Sequence, residues 1–222
     1  MIKFNNVTKF YELPSDKCYA LREITTEIRE GETVAVTGKS GAGKTTFLNV
    51  LGAVDNVNSG QILVDGEDIT QMKAKQKTLY RRRSIGFVFQ FFNLLPMLTI
   101  KENIMLPLEI DNAKKDMDYF QELVENLGIA DKLDMLPAML SGGQQQRVAI
   151  ARAMIHKPRL ILADEPTGNL DSSTTAEVMN LLLSCTKKYH QTLVYVTHDL
   201  EVACQAERIL QISDGRLREE TR

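Results

Sequence analysis

Three short stretches of the chain carry residue types suited to handling a polyphosphate. The first, Gly38-Lys39-Ser40-Gly41-Ala42-Gly43-Lys44-Thr45, reads GxxxxGK[ST] without a mismatch. Gly38, Gly41 and Gly43 let successive backbone N–H groups curl inward around an anion. A helix opening at Lys44 adds unsatisfied donors and a positive dipole end. Lys44 supplies a point charge for the β- and γ-phosphates, and the Thr45 hydroxyl suits Mg²⁺. Ser40 and Thr46 complete the candidate nucleotide contacts on this loop. The alternative is a Gly/Ser turn before an ordinary helix. The flanks, TVAVT before and TTFLNVLG after, are those the phosphate motif requires.

The second stretch, Leu160-Ile161-Leu162-Ala163-Asp164-Glu165, is an apolar run ending in two carboxylates. At the carboxyl edge of a parallel sheet such a pair faces the crevice where ligands bind. Adjacent side chains on an extended backbone diverge, so the two acids can divide the work. Asp164 would hold a metal through its water shell and Glu165 would activate water as general base. Taken alone, Glu165 reads equally well as a solvated turn acid.

The third, Leu140-Ser141-Gly142-Gly143-Gln144, opens a helix predicted over Gln144–His156, with Ser141 as a good N-cap. At ~13 residues and ~1.5 Å each, that helix is about 20 Å long and separates Ser141 from the strand that follows it. Either the turn simply caps a helix, or it serves a nucleotide held by another copy, as closed two-fold pairing would arrange.

The elements that must position these residues can be read from short apolar runs. Segments of β character are Lys3–Thr8, Leu21–Ile28, Thr33–Thr37, Gln61–Val64, Ile85–Phe89, Leu160–Ala163, Thr192–Thr197 and Ile209–Ser213. TVAVT, IGFVF, LILA and TLVYVT are apolar without alternation, as in parallel strands buried on both faces. Helical patterns at Lys44–Leu51, Ser173–Tyr189 and Leu200–Ala206 follow three of the strands, which predicts an α/β core. The early strands, with turns at Glu30-Gly31 and Asp65-Gly66, predict a small antiparallel layer. Between Phe92 and His156 the chain is helical in pattern and holds Met97, Met105, Met117, Met135, Met139 and Met154. This reads as an inserted helical lobe whose methionines serve a partner surface or the lobe's own core. There is no internal repeat.

Composition sets the outer bounds. The chain has 222 residues, 43% hydrophobic and 25% charged, within the globular range. The balance of 27 basic against 29 acidic residues, net −2, gives no polyanion-binding signal and argues against nucleic acid as a partner. Cys18, Cys185 and Cys204 are too widely spaced for a zinc knuckle and odd in number, so a reducing compartment is expected. The N-terminal MIKFNNVTKF lacks the apolar run of a signal peptide. The most apolar window, Ile85–Ile100, is interrupted by Gln90, Asn93 and Pro96, short of the ~20 residues a spanning helix needs.

LSGGQ followed by QQR, together with the phosphate loop and LILADEP, resembles the ATP-binding cassette (ABC) ATPase family over essentially the whole chain. The resemblance implies an α/β fold in a single domain, 1–222. Its P-loop NTPase (RecA-like) core would span about 1–91 and 157–222, with an antiparallel β subdomain. An α-helical subdomain would be inserted at about 92–156. It implies that Gln90, ending IGFVFQ, contacts Mg²⁺ and water and joins core to lobe. Asp171 in GNLD would lie at the subunit seam, His198 ending TLVYVTH would touch the γ-phosphate, and Tyr11 would stack on adenine. Ser141, Gly142, Gly143 and Gln144 would meet the γ-phosphate held by another copy's Lys44. ATP and Mg²⁺ are the implied cofactors, with Thr45, Gln90 and Asp164 at the metal. His156 and His190 read as structural, Arg81–Arg83 as a solvated face or a partner's seat, and Arg216–Arg222 as a charged tail.

FVFQFFNLLPMLTIKENIMLPL, SGGQQQRVAIARA and ILADEPTGNLDS resemble the bacterial group covering macrolide export, lipoprotein release and bacitracin-type peptide resistance. That likeness implies a cytoplasmic subunit on the inner face of the membrane. It would drive a separate permease with a large extracytoplasmic domain, seated near Phe91–Leu108. A cell-division ATPase of the same branch, regulating wall hydrolysis without transport, is the alternative. A soluble DNA-repair or ribosome-associated ATPase would need coiled-coil insertions or a second cassette, for which 222 residues leave no room.

Overall fold

The computed structural model describes residues 1–14 and 16–220. The chain opens with a long hairpin, β1 (Ile2–Glu12) and β2 (Lys17–Ile28), followed by β3 (Thr33–Thr37) and α1 (Lys44–Leu51). Next come β4 (Ser59–Val64), β5 (Glu67–Asp68), α2 (Ala74–Ser84) and β6 (Ile85–Phe89). Three helices follow without an intervening strand: α3 (Ile100–Ile110), α4 (Met117–Asn126) and α5 (Gly142–Met154). The last third alternates β7 (Leu160–Asp164), α6 (Ser172–Lys188), β8 (Thr192–Val196), α7 (Leu200–Ala203), β9 (Arg208–Ser213) and β10 (Arg216–Glu220).

The strands form two sheets. The smaller is antiparallel, in order β2-β1-β4-β5, and the larger runs β10-β9-β3-β8-β7-β6. In the larger sheet β9, β3, β8, β7 and β6 are parallel and only β10 is antiparallel. The unalternating runs have a simple basis, because both faces of this sheet are covered. Val34, Val36, Leu160, Leu162, Val194 and Val196 pack with α1 and the antiparallel sheet. Their neighbours Ala35, Ile161, Ala163, Leu193 and Tyr195 pack with the helices between β6 and β7, and with α6. Phe4 of β1 stacks on Phe47 of α1, centroids 4.6 Å apart, which joins the small sheet to the phosphate-loop helix.

Several elements differ from the sequence expectations. The stretch Arg216–Glu220, read as a charged tail, is β10; its backbone pairs with β9 in register from Arg216↔Ser213 to Glu220↔Ile209. Residues 221 and 222 lie outside the described residues. Arg208 fixes this edge, donating to Glu219 and to the buried Glu32. The basic run Arg81–Arg83 ends α2 and is not a free solvated face. Arg82 and Arg83 pair with Asp111, while Arg81 donates to the Ala53 carbonyl. The methionines divide: Met105 and Met154 are buried, whereas Met97, Met117 and Met139 are exposed. The Glu30-Gly31 turn carries the chain from the small sheet to the large one, so it links the layers and closes no hairpin. His156 is half-buried with Nε2 against the Ile85 carbonyl, and burial pushes its pKa down.

Candidate nucleotide site

Because β3, β6, β7 and β8 are parallel neighbours in one sheet, their carboxyl ends share one edge. The segments leaving that edge are 38–43, Gln90 and its successors, Glu165–Asp171, and Thr197–Asp199. Residues scattered over 160 positions are thereby gathered into one crevice.

The loop after β3 is shaped by its glycines. Gly38 has φ 145° and Gly43 φ 110°. A Cβ on Gly38 would strike the Ile212 carbonyl, and one on Gly43 the Ala20 carbonyl, so no other residue fits at either place. The Lys44 ammonium lies inside its own loop, donating to the carbonyls of Gly38 (2.8 Å) and Lys39 (3.0 Å). These acceptors hold the charge inside the loop. Ser40 and Gly41 are exposed on the loop, and Thr46 lies in the first turn of α1.

Thr45 Oγ1 donates to Asp164 Oδ1 at 3.3 Å, bringing the loop hydroxyl and the strand-end acid together. Burial is the main force raising the Asp164 pKa; Glu165 adds to it, while Thr45 and Lys44 oppose it. Among the described residues no cluster of His, Cys, Asp and Glu could hold a metal unaided. The hydroxyl, carboxylate and amide oxygens of Thr45, Asp164 and Gln90 are the hard donors that Mg²⁺ accepts when phosphates complete its shell, so these residues fit the ion.

Glu165 sits at φ 46°, a left-handed conformation unusual for a side chain of its size. Its N–H donates to the Val196 carbonyl, and its own carbonyl accepts from Gly168 N, each at 3.0 Å, so the turn is held from both sides. The carboxylate is thus directed to His198, with Oε2 3.2 Å from Nδ1. A cavity of about 280 Å³ beside them is lined by Glu165, Gly168, Thr197 and His198 among others.

Gln90 is held by residues that sequence reading did not single out. Its Nε2 donates to Asn169 Oδ1 at 3.2 Å, and Asn169 Nδ2 donates to the Gln90 carbonyl at 2.9 Å. A Cβ on Gly168 would crowd the Gln90 amide. The buried Gln146 donates to the Phe89 carbonyl, and Arg152 donates to the carbonyls of Phe92 and Asn93. The only sequence signal for Gly168 and Asn169 was their position between Glu165 and Asp171.

Ser141 caps α5 with a reciprocal box: Ser141 N donates to Gln144 Oε1 at 3.0 Å, and Gln144 N to Ser141 Oγ at 3.4 Å. A Cβ on Gly143 would clash with the Thr174 methyl, and one on Gly142 would press on Leu170. The turn therefore packs on the segment that follows β7. This corrects the length argument: α5 carries the chain away, but β7 brings it back, so helix length alone does not set how far Ser141 lies from the acid pair. Asp171 is consumed as the N-cap of α6. Hydrogen bonds from Ser173 Oγ, Thr174 N and Thr174 Oγ1 hold its carboxyl far below the usual carboxylate range. Tyr11, at the end of β1, is exposed; Asp55 accepts from its hydroxyl at 2.9 Å and the Lys9 ammonium lies 4.7 Å from its ring centroid.

Comparison with known proteins places this geometry. A family model described as ABC transporter matches residues 21–168. An uncharacterized ABC transporter ATP-binding protein of Thermotoga maritima is 46% identical over 217 residues, covering 96% of this chain and 91% of its own length. The macrolide export ATP-binding/permease protein MacB of Syntrophobacter fumaroxidans is 42% identical over all of this chain but only 32% of its own length. Among solved structures, the dimeric post-hydrolysis cassette MJ0796 bound to ADP and Pi superposes with a TM-score of 0.88 at 42% identity, covering 100% of this chain and 98% of that one. MJ0796 comes from Methanocaldococcus jannaschii. A glycine cradle that only glycine can build, an acid pair at the same edge of the sheet and full-length relatives of one kind lead to one reading: the chain belongs to the ABC transporter family, as an ATP-hydrolysing, ATP-binding subunit.

Proposed function

We propose that two copies of this chain close head to tail over two ATP molecules and that the closure drives a separate membrane permease. The observation that carries the proposal is the crevice at the carboxyl edge, where the Gly38–Thr45 loop, the Asp164–Glu165 pair and His198 meet. Thr45, Asp164 and Gln90 would hold Mg²⁺, which would supply positive charge to offset that of the phosphates. Lys44 leaves its loop carbonyls for the γ-phosphate. Glu165, held in its left-handed turn, takes a proton from the attacking water, and His198 steadies both the carboxylate and the γ-phosphate. Ser141 and the backbone of Gly142 and Gly143, backed by Gln144, approach the γ-phosphate from the partner copy, with Asp171 at the seam. Tyr11 offers the ring face not covered by Lys9 to adenine.

The dimeric state of MJ0796 supports the pairing, and the fusion of a permease to the cassette in MacB supports a membrane partner. No helix among the described residues is long and apolar enough to cross a membrane. Phe91, Leu95 and Met97 are exposed on the lobe. Beside them a cleft of about 450 Å³, including Phe87, Phe89, Leu106 and Ile110, opens between lobe and sheet. These features fit a permease seat on the cytoplasmic face. The work done would be export or force relay to an extracytoplasmic domain, as in macrolide or antimicrobial-peptide resistance or in lipoprotein release.

The test is purification of a Glu165→Gln variant from native membranes with ATP present. The variant should bind ATP, hydrolyse it about 10²–10⁴-fold more slowly, and remain paired and attached to one integral membrane protein. Normal turnover would remove Glu165 as the base. Recovery with division proteins and no substrate-moving permease would replace transport with control of wall hydrolysis.

A further inference from the structure

We infer that Asn169 is a positioning residue for the cation: it sets which end of the Gln90 amide faces the metal. The inference rests on the proposed reading of Gln90 as a metal contact. An amide side chain presents an oxygen at one end and an NH₂ at the other, and only the oxygen can ligate Mg²⁺. A half-turn of the Gln90 amide would put donors against the cation.

The hydrogen bonds around Asn169 decide between these orientations. The Gln90 carbonyl can only accept, so the Asn169 group facing it must be the NH₂, at 2.9 Å. With Asn169 Nδ2 so placed, its Oδ1 faces Gln90 and can only accept, so the Gln90 group facing it must be Nε2, at 3.2 Å. The main-chain carbonyl thus fixes Asn169, and Asn169 fixes Gln90. Gln90 Oε1 is the end left over. Gly168 makes the approach possible, since a Cβ there would sit against both the Gln90 amide and Glu165 Oε2. The backbone on either side of Gln90 is also held by Gln146 at Phe89 and by Arg152 at Phe92 and Asn93, so the loop does not depend on Asn169 alone.

The experiment titrates Mn²⁺ into the full-length protein loaded with a non-hydrolysable ATP analogue and reads free Mn²⁺ by its paramagnetic resonance signal. Loss of one orienting hydrogen bond predicts that Asn169→Ala weakens Mn²⁺ binding about three- to tenfold. Affinity for the analogue without metal should not change. Asn169→Asp keeps an acceptor for Nε2 but loses the donor to the Gln90 carbonyl that fixes its own orientation, so it should recover only part of the Mn²⁺ affinity lost in Asn169→Ala. In a Gln90→Ala background neither substitution should have any effect, which separates orientation from added charge. Wild-type Mn²⁺ affinity in Asn169→Ala, or an equal loss in the Gln90→Ala background, would overturn the inference. If Gln90→Ala alone leaves Mn²⁺ binding intact, the reading of Gln90 as a metal contact fails first, and the role of Asn169 falls with it.

Discussion

Asp164 is a case where function and stability pull in opposite directions at one residue. Burial raises its pKa above the ordinary 3.8, so the native state binds its proton more tightly than the unfolded chain does. A carboxyl shifted this way favours the fold below pH 3.8, and that advantage is lost as pH rises through the elevated native value. At neutral pH the metal-free protein therefore carries a half-buried charge eased chiefly by Thr45 and Lys44. Asp164→Asn should raise the melting temperature at pH 7.5 without nucleotide, by about 2–4 °C for each kcal/mol relieved. The gain should shrink as pH is lowered towards 4, while ATP hydrolysis is lost. Scanning calorimetry at the two pH values checks the sign; a variant less stable at pH 7.5 would mean that the Thr45 hydrogen bond outweighs the burial.

At the scale of elements, Ser141 caps a helix and, in the proposed function, also meets a ligand, and the two roles can be separated. It caps α5, so Ser141→Ala should cost about 1 kcal/mol of stability whatever the ligand does. Ser141→Asp keeps a good cap and places a negative charge at a helix N-terminus, where it is favourable by a few tenths to 1 kcal/mol. Facing a γ-phosphate, the same charge is repulsive. The Asp variant should melt at or slightly above the wild-type temperature yet fail to pair on ATP by sedimentation velocity. Elements with a continuous apolar run were legible in the sequence. TVAVT, IGFVF, LILAD and TLVYV all stand as parallel strands of the α/β core, and the early strands Lys3–Thr8, Leu21–Ile28 and Gln61–Val64 stand in the antiparallel layer. What escaped has no such run: α2 buries only Tyr80, and β10 joins the sheet through backbone hydrogen bonds. At the site, Lys44, Thr45 and Asp164 were candidates by residue type and spacing, whereas Glu165 stands level with a solvated turn acid without the family resemblance. Asn169 did not, because an asparagine in a turn is ordinary until the fold sets Gln90 beside it.

At the scale of the molecule, the sheet spaces the glycine loop and the serine turn apart. The Gly38–Gly43 loop leaves β3 and packs against Ala20 and Ile212, on the β2 and β9 side. The serine turn packs against Leu170, Thr174 and Phe92, which follow β7 and β6. From β3 to β7 and β6 is two and three strand steps, roughly 10–14 Å at ~4.8 Å each. A single triphosphate tail held by Lys44 would have to cross that span to reach Ser141 of its own chain, whereas an isologous pair meets the need twice over. The consequence is complementation between two inactive chains. Lys44→Ala spoils the cradle but keeps its serine turn, and Ser141→Asp does the reverse, so neither makes a working homodimer. When they are mixed in equal amounts, at least half of the pairs are mixed, because neither variant pairs well with itself, and each mixed pair has one centre with both parts intact and one with neither. Hydrolysis should recover to about a quarter to a half of the wild-type rate per chain. If Lys44 and Ser141 served one nucleotide within one chain, every chain in the mixture would remain defective and the rate would stay at the level of the separate variants.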